Sequence, residues 1–87
     1  KENKQMLIEQ QHFKRLREIS SLSQRQLADY CKTTRFLVNK AESMGNVKIG
    51  IINSISDFYI SYFKAVAPYL PSAEQQELSR LIQLNKI

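Results

Sequence analysis

Arg35, Phe36, Asn39 and Lys40 lie close together at the end of the stretch SQRQLADYCKTTRFLVNKAE, residues 23–42. They bring a guanidinium fork, an aromatic ring, a carboxamide and an ammonium group to one surface, where a packed core has no use for them. Hydrogen bonding, charge and contact are what such groups offer, so their chemistry is recognition rather than bond-making. Nothing nearby pairs a nucleophile with a base, and no glycine-rich phosphate loop occurs. An enzyme is therefore not expected. The single cysteine, Cys31, excludes an internal disulfide framework, and with His12 as the single histidine it cannot complete a zinc site. Cys31 reads as a core thiol and His12 as a helix-surface residue; no cofactor or metal is implied.

Charge points the same way. The 87 residues carry 13 Lys and Arg against 8 Asp and Glu, a net charge of +5. Between residues 14 and 48, Lys14, Arg15, Arg17, Arg25, Lys32, Arg35, Lys40 and Lys48 stand against Glu18, Asp29 and Glu42, so the whole surplus sits around the opening stretch. A basic zone of this kind suits a polyanion, and it also suits a solvated face.

The elements that must position these groups are helices. With 43% apolar residues, two Gly and two Pro, and Leu and Ile spaced in threes and fours, the chain reads as one all-α domain. Met6, Leu7, Phe13, Leu16 and Ile19 mark a first helix, secure from about His12. Ser23 with Gln26 forms a Ser-x-x-Gln capping box that opens a second helix, Gln24 to Cys31, burying Leu27, Ala28 and Cys31. Thr34 caps a third, Arg35 to about Ser43, with Val38 and Ala41 inward and Leu37 at the margin. Gly45 is expected to supply a left-handed closing turn. Ile49, Ile52, Ile55 and Phe58 outline a fourth helix, Ser61 caps a fifth ending before Pro68, and Ser72 with Gln75 makes a second capping box for a sixth that buries Leu78, Leu81 and Ile82. Residues 1–67 form the main unit, and 68–87 a C-terminal helix acting as a lid or a dimerisation element, with Leu84 and Ile87 available for either role.

Two short capped helices joined by a tight break, the second with a basic outer face, have the pattern of a helix-turn-helix. Leu16-Arg17, Leu22-Ser23-Gln24, Leu27-Ala28, Thr34-Arg35 and Glu42, in this order and spacing, resemble the phage repressor and Cro type of transcriptional regulator, the XRE family. The resemblance covers about half the chain. It implies a five-helix repressor-like bundle, to which the sixth helix is an addition, and a protein that reads double-stranded DNA, most readily as a repressor of phage or mobile-element type. By the same resemblance Arg35, Phe36, Asn39 and Lys40 read bases in the major groove. Arg35 suits guanine, Asn39 adenine, and Phe36 a thymine methyl. Gln24 touches a backbone phosphate, joined by Lys14, Arg15, Arg25, Lys32, Thr34, Asn46 and Lys48, while Arg17 and Glu42 form a structural ion pair. Where the family has Gly in the turn, this chain has Lys32. Met44 displaces the next Gly by one position.

A homodimer is expected, because such readers engage two half-sites about 34 Å apart. The surplus aromatics at 58, 59, 62, 63 and 69 leave room for a regulatory protein partner. The competing reading is a helical protein-interaction module whose partner surface is these aromatics and the last helix, with the basic face incidental. RNA binding is weaker, since no sheet-type stacking platform is visible. No apolar run approaches the roughly 18–20 residues of a membrane span and no signal-peptide pattern occurs, so the expected location is the cytoplasm, in a bacterial or phage-encoded setting.

Overall fold

The computed structural model describes residues 8–82. Among them the chain forms α1 (Phe13–Ser20), α2 (Gln24–Tyr30), α3 (Arg35–Glu42), α4 (Ile49–Val66) and α5 (Ser72–Leu81), with 3-10 turns at Gln10–His12 and Ala67–Tyr69. No strand occurs among the described residues, so the architecture is all-α. One core joins all five helices, with Phe13, Leu16, Leu27, Val38, Ile55, Tyr59 and Phe63 fully enclosed.

Ahead of α1 the described residues are not α-helical: a single 3-10 turn, Gln10–His12, follows a pinned Ile8 and Glu9. The buried Ile8 donates its backbone N–H to Ser56 Oγ of α4 at 3.1 Å, which ties the incoming segment to the longest helix. The expected helical contributions of Met6 and Leu7 lie outside the described residues.

The expected fourth and fifth helices are a single element, α4, and Ser61 is an exposed mid-helix residue rather than a cap. No proline interrupts the run before Pro68, and a serine inside a helix costs only a few tenths of a kcal/mol, about what one good buried contact returns. The inward face also differs from the expected stripe. Ile52, Ile55, Ser56, Tyr59 and Phe63 are buried, whereas Ile49 is 62% exposed and Phe58 only partly covered. A strict spacing of three falls behind the 3.6-residue turn by about 60° per step, so residues 49 to 58 cannot all share one side.

Helix α5 is the expected sixth helix, begun differently. Its N-cap is Pro71, Ser72 makes no capping bond, and Gln75 Nε2 instead donates to Leu70 O at 2.9 Å. Leu78 and Ile82 enter the common core. Arg15 of α1 closes the contact by donating to Glu77 through Nε at 2.7 Å and Nη2 at 2.8 Å. The guanidinium lowers the Glu77 pKa, so this clip is present at neutral pH and is lost as acid protonates the carboxylate. Leu84 and Ile87 lie outside the described residues.

Helices α1, α2 and α3 end alike. Ser21, Lys32 and Met44 take left-handed φ values of 61°, 55° and 65°. The next N–H then reaches five residues back, Leu22 to Arg17 O at 3.2 Å, Thr33 to Ala28 O at 2.9 Å and Gly45 to Lys40 O at 2.8 Å. These are Schellman closures without glycine at the left-handed position. The expectation for Gly45 is thus corrected: Met44 carries the left-handed turn. Gly45 is required for space, because a Cβ there would stand 2.9 Å from Lys40 O.

Lys32→Gly is expected to raise the unfolding free energy by about 1 kcal/mol, since a left-handed L-residue costs about 1–2 kcal/mol and glycine's looser unfolded state returns part of it. A urea midpoint at or below that of the unmodified protein would refute this.

Candidate nucleic-acid interface

Local chemistry starts both helices of the pair. Ser23 Oγ accepts from the Gln26 N–H at 3.0 Å while Gln26 Oε1 accepts from the Ser23 N–H at 2.9 Å, a complete capping box for α2. Thr34 Oγ1 accepts from the Leu37 N–H at 3.2 Å and opens α3. Leu27 and Ala28 on α2, with Val38 and Ala41 on α3, are buried, and the backbones of these two helices approach closely. The small Ala28 permits that approach.

With its inner side so engaged, α3 leaves Arg35, Phe36, Asn39 and Lys40 exposed. Phe36 is 70% exposed, which removes it from the core, while Leu37 is partly covered. Among the described residues, no carboxylate lies within ion-pair distance of Arg35 or Lys40. Arg17, Ser23, Gln24, Arg25 and Arg35 line a shallow polar concavity beside the two helix starts. Lys14, Lys32, Asn46 and Lys48 are exposed as well.

Behind this face is an ion pair. Arg17 donates to Glu42 through Nε at 2.7 Å and Nη2 at 3.1 Å, and through Nη1 to Leu22 O at 3.1 Å. The side chains are 16% and 4% exposed. Bidentate hydrogen bonding to Glu42 holds the Arg17 pKa above its ordinary value. The pair therefore bolts the last turn of α3 to α1 and to the α1–α2 turn.

Two residues expected at phosphates are committed elsewhere. Arg15 is held by Glu77, as described. Gln24 donates from Nε2 to Glu42 Oε1 at 3.0 Å and, at a longer 3.4 Å, to Asn39 Oδ1. A carboxylate only accepts, so it draws the amide nitrogen inward, towards Glu42. In this arrangement Gln24 is not a phosphate donor.

The far end of α3 has a fastening that the sequence pattern does not announce. Gln10 Nε2 donates to Ala41 O at 3.1 Å and to Gly45 O at 3.0 Å, satisfying carbonyls at the helix end. Beneath, the enclosed Tyr59 donates its hydroxyl to Phe13 O at 3.2 Å. Burial, and after it the charge of Glu42, pushes the Tyr59 pKa up, so the phenol stays a donor.

Cys31 sits half-buried at the end of α2 rather than inside the core, its Sγ 3.8 Å from Ser54 O. Burial raises its pKa to about 11, which keeps it a thiol at neutral pH. Nearby, Tyr30, 62% exposed, stacks on Phe58 at 5.2 Å, and Phe58 on Tyr62 at 5.7 Å. Among the described residues no three His, Cys, Asp or Glu side chains group as a metal site, and no helix is long and apolar enough to cross a membrane. Comparisons with known proteins return no matching family model, no matching curated protein and no matching solved structure.

Proposed function

We propose that this chain is a sequence-specific DNA-binding regulator, in which α3 enters the major groove and bound protein blocks transcription from a nearby promoter. The observation that carries the reading is the division of α3 into two sides. Its inner side is fixed by Val38, Ala41 and the Arg17–Glu42 pair, while its outer side presents Arg35, Phe36, Asn39 and Lys40 to solvent, with no carboxylate among the described residues to neutralise the two cations. A rigid back and an unpaired basic front are what groove reading needs. Arg25, Lys32, Lys14 and Lys48 would hold phosphates and set the register. Two copies on adjacent half-sites would complete the arrangement; burial of Leu78 and Ile82 within the chain supports α5 as a lid over the core.

A gel shift on random duplex at low salt tests the class of function, with retarded duplex as the expected result. On a site selected from randomised DNA, Arg35→Ala and Asn39→Ala are each expected to weaken binding by about tenfold or more beyond any loss on random duplex. Equal losses on both would make these residues phosphate contacts. The exposed Tyr30 stack and Tyr69, 86% exposed, favour a second reading as a protein-interaction module, which predicts no retarded duplex at any salt concentration.

A further inference from the structure

Resting on the DNA-binding reading, we infer that Gln24 is a positioning residue that fixes the polarity of the Asn39 carboxamide, so that Asn39 selects guanine over adenine at its base pair. The chain of constraint begins at a charge. Arg17 holds Glu42 bidentately, and Glu42 Oε1 accepts from Gln24 Nε2 at 3.0 Å. The carboxylate has no proton to give, so the Gln24 amide has one permitted orientation, nitrogen towards Glu42. The same Nε2 also donates, at a longer 3.4 Å, to Asn39 Oδ1. With Oδ1 engaged on the α2 side, the Nδ2 amide group is the part of the carboxamide left for the solvent side of α3.

An asparagine free to turn matches adenine bidentately, its oxygen accepting from the N6 amine and its nitrogen donating to N7. With Oδ1 turned towards Gln24, the outward group is a donor alone. Opposite adenine it meets N7 but also faces the N6 amine, donor against donor. Opposite guanine both N7 and O6 accept. Specificity at this pair therefore originates in Glu42, a residue that reaches no base.

The test is selection from randomised duplex DNA, followed by affinity measurements on the chosen site with each base in turn. Asn39→Ala identifies the base pair concerned as the one where preference collapses. The unmodified protein is expected to favour guanine over adenine there by about tenfold. Gln24→Met, which keeps the length and removes both donors, is expected to bring guanine and adenine to within about threefold, without changing the order of preference at pairs read by Arg35. The exchange Gln24→Glu with Glu42→Gln reverses the relay. The carboxylate introduced at position 24 then accepts from Asn39 Nδ2, Oδ1 turns outward as an acceptor, and preference leaves guanine, whose N7 and O6 both accept, for a base that presents a donor, adenine N6 or cytosine N4. Thermal melts of each variant show whether it is folded. Side-chain NMR without DNA reads the relay separately, the Gln24 amide protons of the unmodified protein exchanging slowly with solvent and showing contacts to Asn39. Adenine preference in the unmodified protein, or unchanged preference in Gln24→Met, overturns the inference while leaving the DNA-binding reading in place. Failure to select any duplex removes that reading, and fast-exchanging Gln24 protons overturn the relay whatever the DNA result.

Discussion

Glu42→Ala is expected to lower the unfolding free energy by about 3–5 kcal/mol, the usual penalty for stripping one partner from an enclosed ion pair. The carboxylate is only 4% exposed and accepts three hydrogen bonds, two from Arg17 and one from Gln24. Its removal leaves a guanidinium beneath α3 that, among the described residues, keeps a hydrogen bond to Leu22 O and the more distant charge of Glu18. Such a loss is a large part of a domain's stability, since the total is typically about 5–15 kcal/mol. Urea unfolding gives the number directly. The double variant Arg17→Met with Glu42→Leu is expected to recover most of the loss, because apolar replacement of both partners avoids a stranded charge. Should Glu42→Ala cost less than about 1 kcal/mol, the lower value for exposed pairs, the bolt assigned to this pair would have to be abandoned.

For binding, the largest expected effect is that of salt. If Lys14, Arg25, Lys32 and Lys48 each neutralise a phosphate, the logarithm of the binding constant should fall against the logarithm of salt with a slope of about −3 to −4 per copy. Over a rise from about 50 to 200 mM that is roughly a hundredfold loss of affinity. Arg15→Ala should leave the slope unaltered, because its charge is held by Glu77, whereas Lys32→Gly should flatten it by about one unit. Fluorescence anisotropy on a labelled duplex at several salt concentrations measures all three. A flat response would mean that the basic zone is merely solvated. Lys32→Gly thus joins gain and loss in one side chain. The strained turn is retained at a cost to stability, and the residue that strains it carries a charge where a phosphate is expected.

What depends on near neighbours is legible in the sequence. Ser23 with Gln26, and Thr34 before Leu37, start helices through bonds spanning three residues, and both starts are where the pattern puts them. Leu27, Ala28, Val38, Ala41, Leu78 and Ile82 are buried where helical spacing puts them, whereas Cys31 and Leu81, expected with them, are only partly covered. Less legible is α4, because a serine at 61 resembles a cap as much as a mid-helix residue. The choice falls to Tyr59 and Phe63, whose burial needs α1 and α5 already in place. Least legible are the bonds that depend on distant partners. Arg15 meets Glu77 across 62 positions, and Gln10 meets Gly45 across 35. Each looks like an ordinary surface polar residue in its own stretch of chain. Gln24 is recognisable as the start of α2, yet the direction of its amide follows from a carboxylate 18 positions later.

Gln10 and Ile8 together clasp the end of α3 and the middle of α4 from a stretch that is not itself α-helical. A fragment trimmed to begin at Gln11 would keep all five α-helices in its sequence while dropping both clasps, and the last turn of α3 would then be held by the Arg17–Glu42 pair without the two bonds from Gln10. Where such a fragment begins is therefore expected to set how stiffly the outer face of α3 is carried, through bonds made at the helix end and not on that face.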